Sequence, residues 1–296
     1  MLRLLRSETY RLIRRWMPWI LLIIVVTLAF AAYELLWVTA NAQLRLIESG
    51  QFPTNDPNVP PPDVVKRSLE EQIQTLRPAE LDEIGVGLVT GLGTIVLIVF
   101  AASHVGTEWV WGTLRTVLAS GAGRVQFLAS KYLTLVGFAI VFMIVGVIAS
   151  IGASYLVSAQ GNLDTNGLDL GGVGARAARS VYGWFPYMAL AALIALWFRS
   201  AGGGIAAGLV IYFTESLVTQ LLVSFNRDLV SVANYGISRN VTALTNAGDP
   251  PPTGPDPSGL ATLPDPAQAF ATLTVWIALF VALAVWRLRT RDITLA

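Results

Sequence analysis

Six stretches of this chain are long enough and apolar enough to decide its fold before any other feature is weighed. They run from about Met17 to Val38, Ile84 to Val105, Tyr132 to Val157, Val181 to Phe198, Gly203 to Ser224 and Gln268 to Trp286. A helix crossing roughly 30 Å of hydrocarbon needs about 20 residues, and within hydrocarbon each backbone amide must find its partner inside the same segment. A helix meets that demand and a lone strand does not. Only Glu34 and Glu215 bring charge into these runs. The expectation is an all-α, polytopic integral membrane protein with six transmembrane helices preceded by an interfacial amphipathic helix. Composition agrees: 54% of the 296 residues are hydrophobic and 13% charged, the latter about half the share of a soluble domain. With no cysteine at all, a disulfide-stapled secreted domain is excluded.

Orientation follows from where the cations collect. The N-terminus, the segments after spans two and four, and the C-terminus together hold twelve Lys and Arg against three acids, whereas the other three segments hold eight against fourteen. The formal net charge of +1 hides this separation. Both termini are therefore expected in the cytoplasm. Lysines number only two, Lys66 and Lys131, among 20 cations; this arginine bias suggests a GC-rich bacterial genome and hence the bacterial inner membrane. A cleaved signal peptide is disfavoured because its apolar region spans about 7 to 15 residues, and the first run here is longer.

Residues 1–16 are expected to form a cytoplasmic interfacial helix, with Leu2, Leu5, Leu12, Ile13 and Trp16 on one side and Arg3, Arg6, Arg11, Arg14 and Arg15 on the other, an amphipathic pattern suited to a headgroup region. A plain positive-inside anchor is the alternative. Residues 17–296 form the six-helix domain, with external loops 39–83, 158–180 and 225–267 and a cytoplasmic loop at 106–131. In the first external loop, Ser68-Leu-Glu-Glu71 reads as a capping box opening a short helix that ends near Pro78. Pro250-Pro251-Pro252 in the last predicts an extended turn. The four-residue spacing of Gly87 and Gly91, and of Gly204 and Gly208, admits close helix approach, expected within the chain for both pairs.

Chemistry of its own is poorly supplied. No phosphate-cradling G-x-x-x-x-G-K-[ST] string occurs. His104 is the only histidine, expected to be packed or interfacial, so neither a metal nor a catalytic site is expected, and no nucleic-acid partner. Glu215, about twelve residues into span five, either lines a pathway or is a neutral acid hydrogen-bonded to a neighbouring helix, since ionisable groups at that depth are costly.

The cytoplasmic loop is more specific. It runs Gly106-Thr-Glu-Trp-Val-Trp-Gly-Thr-Leu-Arg115, then Thr-Val-Leu-Ala-Ser-Gly-Ala-Gly-Arg124 and on to Lys131, which reads as a short helix, a glycine turn and a cationic lead into span three. Glu108, Gly112-Thr113-Leu114-Arg115, Arg124 and Lys131 resemble the E-x-x-x-G-T-L-[RK] … S-R … [LA]-K signature of permease subunits in the second exporter class of ABC transporters (ABC-2 type). Gly121 departs from it, because the family usually has proline in that turn. The resemblance implies a coupling helix gripped by a separate cytoplasmic ATP-binding subunit, with Glu108, Trp109, Gly112, Thr113, Leu114, Arg115 and Arg124 as contacts. It implies ATP and Mg on that partner and no cofactor on this chain, a second permease copy or a related permease alongside, and export of an unidentified substrate. Rival readings are an ion-coupled secondary transporter, a membrane enzyme, or a non-transporting assembly or signalling subunit of the same fold.

Overall fold

Helix boundaries follow from capping and proline chemistry more than from apolarity. The computed structural model describes residues 2–52, 60–110, 123–225, 229–249 and 262–290. Helix α1 (Leu2–Arg14) is separated from α2 (Trp16–Glu48) by Arg15 alone. Pro18 lies in the first turn of α2, where its missing N–H costs no helical bond. The indole of Trp19 donates back to the Ile13 carbonyl at 2.8 Å, satisfying an acceptor that the break leaves open. At its other end α2 stops at Gly50 with φ +68, and the Gln51 amide reaches the Leu46 carbonyl at 3.0 Å, a left-handed glycine cap.

Then follow α3 (Pro62–Gln74), a 3₁₀ turn (Pro78–Glu80), α4 (Ile84–Val110), α5 (Arg124–Gly161), α6 (Leu170–Phe198), α7 (Ala201–Phe225), α8 (Val230–Ala233), α9 (Ile237–Thr245) and α10 (Pro266–Thr290). Six of these, α2, α4, α5, α6, α7 and α10, are long and apolar enough to cross a membrane. The protein is an all-α polytopic membrane protein.

Several helices outrun their apolar cores. Helix α6 starts at Leu170, where the Asp169 carboxylate caps the Gly171 amide at 2.9 Å, so most of the expected second external loop is helical. Alanine and arginine in that stretch propagate a helix without being apolar enough to mark a span. Helix α3 begins earlier than its capping-box pattern predicts, because Pro62 supplies a ready first helical position. Ser68 lies inside the helix and donates to the Val65 carbonyl at 3.0 Å.

The chain clusters into two compact units. One comprises Ile20–Leu92 and Phe142–Ala177. Within it, Leu69 and Ile73 of α3 are buried against Ala40, with Trp37, Leu44, Ile47 and Leu163 around them, and the Ser154 hydroxyl of α5 donates to the Leu76 carbonyl at 2.6 Å. A Cβ on Gly146 would come 2.6 Å from Val89, so that glycine is what lets α5 lie against α4 there. Gly87 and Gly91 differ from expectation: an added Cβ at either meets nothing within 4 Å.

The other unit comprises Met1–Trp19, Gly93–Val141 and Ala178–Ala296. Its core includes Trp184, Ile98, Leu135 and Leu273, all essentially inaccessible. Here the glycine spacing of α7 acts as expected, with a Cβ on Gly204 falling 2.6 Å from Ala195 and one on Gly208 falling 2.9 Å from Ile98. The site described next belongs wholly to this unit.

Candidate functional site

Helix α4 continues past its apolar run, which carries His104 and Glu108 onto one face, one turn apart. Helix α5 presents Lys131 and Thr134 at a spacing of three, again on one face. The two faces meet rung by rung. His104 Nε2 lies 2.8 Å from Thr134 Oγ1, and the Lys131 ammonium donates to Glu108 Oε1 at 2.6 Å. The same ammonium donates to Glu8 Oε2 of α1 at 2.6 Å. None of the three side chains is more than 2% exposed.

Around this core Arg11 pairs with Glu8. Arg11 Nη1 and Arg15 Nη2 stand 3.8 and 4.0 Å from Glu108 Oε1. Beneath it, Phe100 stacks on Phe138 at 3.9 Å and on His104 at 5.6 Å. Such an apolar floor lowers the local dielectric, which strengthens each ion pair and makes an unmatched charge there expensive. One lysine bridging two carboxylates from different helices is a rigid joint: α1, α4 and α5 cannot separate without stranding a buried charge.

The flanks of the loop after α4 are held as well. Arg199, with φ 55 in the tight turn between α6 and α7, lies over the Trp109 ring at 5.1 Å. Next to it, a Cβ on Gly106 would fall 2.5 Å from the Ala201 backbone, so only glycine permits this approach of α4 to α7. At the start of α5, Arg124 Nη1 donates to the Leu288 and Arg289 carbonyls at 3.1 and 2.9 Å, closing the C-terminal turn of α10. Of the residues expected to contact an ATPase, Glu108 is therefore in the buried joint, Trp109 stacks under Arg199, and Arg124 caps α10. Gly112, Thr113, Leu114 and Arg115 lie outside the described residues.

Glu215 is a helix cap. Its Oε1 accepts the Ser238 amide at 2.8 Å in the first turn of α9, whose own N-cap Gly236 has no side chain to offer. Oε2 accepts the Tyr187 hydroxyl at 2.7 Å. Both hydrogen bonds come from neighbouring helices. Among the expected interfacial anchors, Arg6, Arg14 and Trp16 are exposed, and Arg14 covers the Tyr10 ring at 4.7 Å. Arg11 and Arg15 instead turn toward Glu108, and the Arg3 side chain lies outside the described ones.

Sequence reasoning passed over Glu8 and gave Lys131 only a place in the motif. A signal for Glu8 did exist: Glu8 and Arg11 are one helical turn apart, with Arg15 a further turn on, and Glu8 is buried. Among the described residues no group of three or more His, Asp or Glu could hold a metal ion. Residues 88–294 match a family described as "Protein of unknown function (DUF2705)". No curated protein matches the chain.

Proposed function

This chain belongs to a family described as of unknown function, DUF2705, and we propose that it is the membrane-spanning permease subunit of an ABC-2 type exporter. ATP and Mg belong to a separate cytoplasmic subunit. A second copy, or a related permease, completes the pathway in the bacterial inner membrane, with both termini on the cytoplasmic side. The observation that carries the reading is the lysine bridge, because Glu108 and Lys131, on either side of the stretch 111–122, are tied to each other and to Glu8 of α1. A lever transmits force only if its root is stiff. Glu108, Trp109 and Arg124 make the root, and Gly112, Thr113, Leu114 and Arg115 are the contacts that the motor subunit grips. Nucleotide-driven closure of the motor then tilts α4 and α5, and the contact of Gly106 with Ala201 passes the movement to α7.

An ion-coupled carrier is less well supported, since Glu215 already accepts two hydrogen bonds within the protein. The test is recovery of tagged full-length chain from its native membranes. An ATP-hydrolysing subunit is expected to accompany it, and Arg115→Glu, at unchanged membrane level, to lower that recovery about tenfold, the effect of one lost charge-assisted contact. Recovery of the wild-type chain without such a partner, or ATP hydrolysis by the chain alone, would overturn the reading.

A further inference from the structure

At the other end of α7 from Ala201, that helix and α9 border an open groove of about 490 Å³. Its polar wall is made by Ser216, Thr219 and Gln220 of α7 and by Ser238 and Thr242 of α9. On α7 this wall adjoins an apolar stripe at helical spacing, Val210, Phe213, Leu217 and Leu221, each more than half exposed. Toward the C-terminal end of the same helix, the Ser216 and Thr219 hydroxyls stand beside that stripe. Phe213 belongs to both surfaces, lining the groove and continuing the stripe.

From this juxtaposition we propose that the groove binds an amphiphile with an uncharged, hydroxyl-bearing head, a sugar or polyol, whose hydrocarbon chain runs down α7 past Phe213 and Val210. The size suits it, since small-ligand sites span roughly 300 to 1,000 Å³. The charge balance selects a neutral head. Arg239, at the groove wall, donates from Nε to Asn234 Oδ1 at 3.0 Å and from Nη2 to the Thr262 carbonyl at 2.7 Å, while neighbouring Glu215 accepts from Tyr187 and Ser238. Both ions are matched inside the protein, and what Ser216 and Thr219 offer is hydroxyl chemistry beside the Tyr212 ring. The stripe runs beside the polar wall from Leu221 and continues past it through Phe213 to Val210, nearer the middle of α7.

The site goes beyond the permease reading and needs no ATPase, so it is tested separately. Full-length chain in phosphatidylcholine nanodiscs is exposed to an alkyl glucoside bearing a diazirine in its chain, and cross-linked peptides are mapped by mass spectrometry. Labelling is expected within 210–221, displaced by unlabelled alkyl glucoside, reduced about tenfold in Ser216→Ala/Thr219→Val, which deletes two hydroxyls without adding bulk, and retained in Ser216→Thr. Labelling unchanged in the double variant would overturn the proposal. So would equal displacement by phosphatidylglycerol, or disulfide-linked dimers of Phe213→Cys in which labelling is lost, which would give the groove to a second copy of the chain.

Discussion

Glu108 and Lys131 meet at 2.6 Å with 1% of each side chain exposed, one before and one after the stretch 111–122. Whatever acts on residues 111–122 acts on a segment rooted in a buried ion pair. Breaking such a pair from one side strands the partner charge, a loss on the order of 3 to 5 kcal/mol, although replacing all partners together can be neutral.

Lys131→Met is therefore expected to lower thermal stability in detergent sharply, by several kcal/mol, as it leaves Glu8 and Glu108 facing each other without their bridge. Adding Glu8→Gln and Glu108→Gln to Lys131→Met recovers part of the loss. Melting curves for the single and triple variants check this; a single variant as stable as wild type would show that the bridge does not hold the joint.

Gly106→Ala puts a methyl group 2.5 Å from the Ala201 backbone. A backbone neighbour cannot swing aside as a side chain can, so the helix must shift, at a cost of about 1 to 3 kcal/mol. Gly87→Ala is the control, with nothing within 4 Å of the new methyl. Alanine there is expected to be neutral or to stabilise by up to about 1 kcal/mol through helix propensity. Equal destabilisation of the two variants would contradict the close approach.

Glu215 gives a test that separates cap from proton carrier. Glu215→Gln keeps an oxygen for the Ser238 amide and is expected to leave stability within about 1 kcal/mol of wild type and, under the proposed permease function, transport intact, whereas Glu215→Ala uncaps α9 at a cost of about 1 kcal/mol. Loss of transport with retained stability in Glu215→Gln would instead make the acid part of a proton pathway.

Topology is readable without background, because the chain has no cysteine. Ser7 and Ser68 are both exposed, on α1 and α3. With both termini cytoplasmic, Ser7→Cys reacts with a membrane-impermeant maleimide only after cells are opened, and Ser68→Cys reacts on intact cells. The reverse pattern would invert the orientation and remove the loop after α4 from reach of any cytoplasmic motor.

Apolar run length alone located the six spanning helices, because satisfying the backbone in hydrocarbon leaves little choice of structure. Helix α3 was legible from its Ser68-Leu-Glu-Glu71 pattern, although its start was misplaced, since a capping box and a Pro62 start compete and proline, needing no amide partner, won. The glycine pairs show the limit of local pattern: the same spacing is filled at Gly204 and Gly208 and left open at Gly87 and Gly91.

From the amino acids by themselves came the fold class, the number of spans, the sidedness of charge and the segment with the exporter-like motif, all of which depend on properties summed along one helix or loop. Tertiary structure alone decided that Lys131 bridges to Glu8, 123 positions away, that Arg124 closes α10 and that Glu215 caps α9. Each of these joins groups far apart in the chain. A buried charge imposes the need for a partner, but only the packing of the helices determines which partner comes within reach.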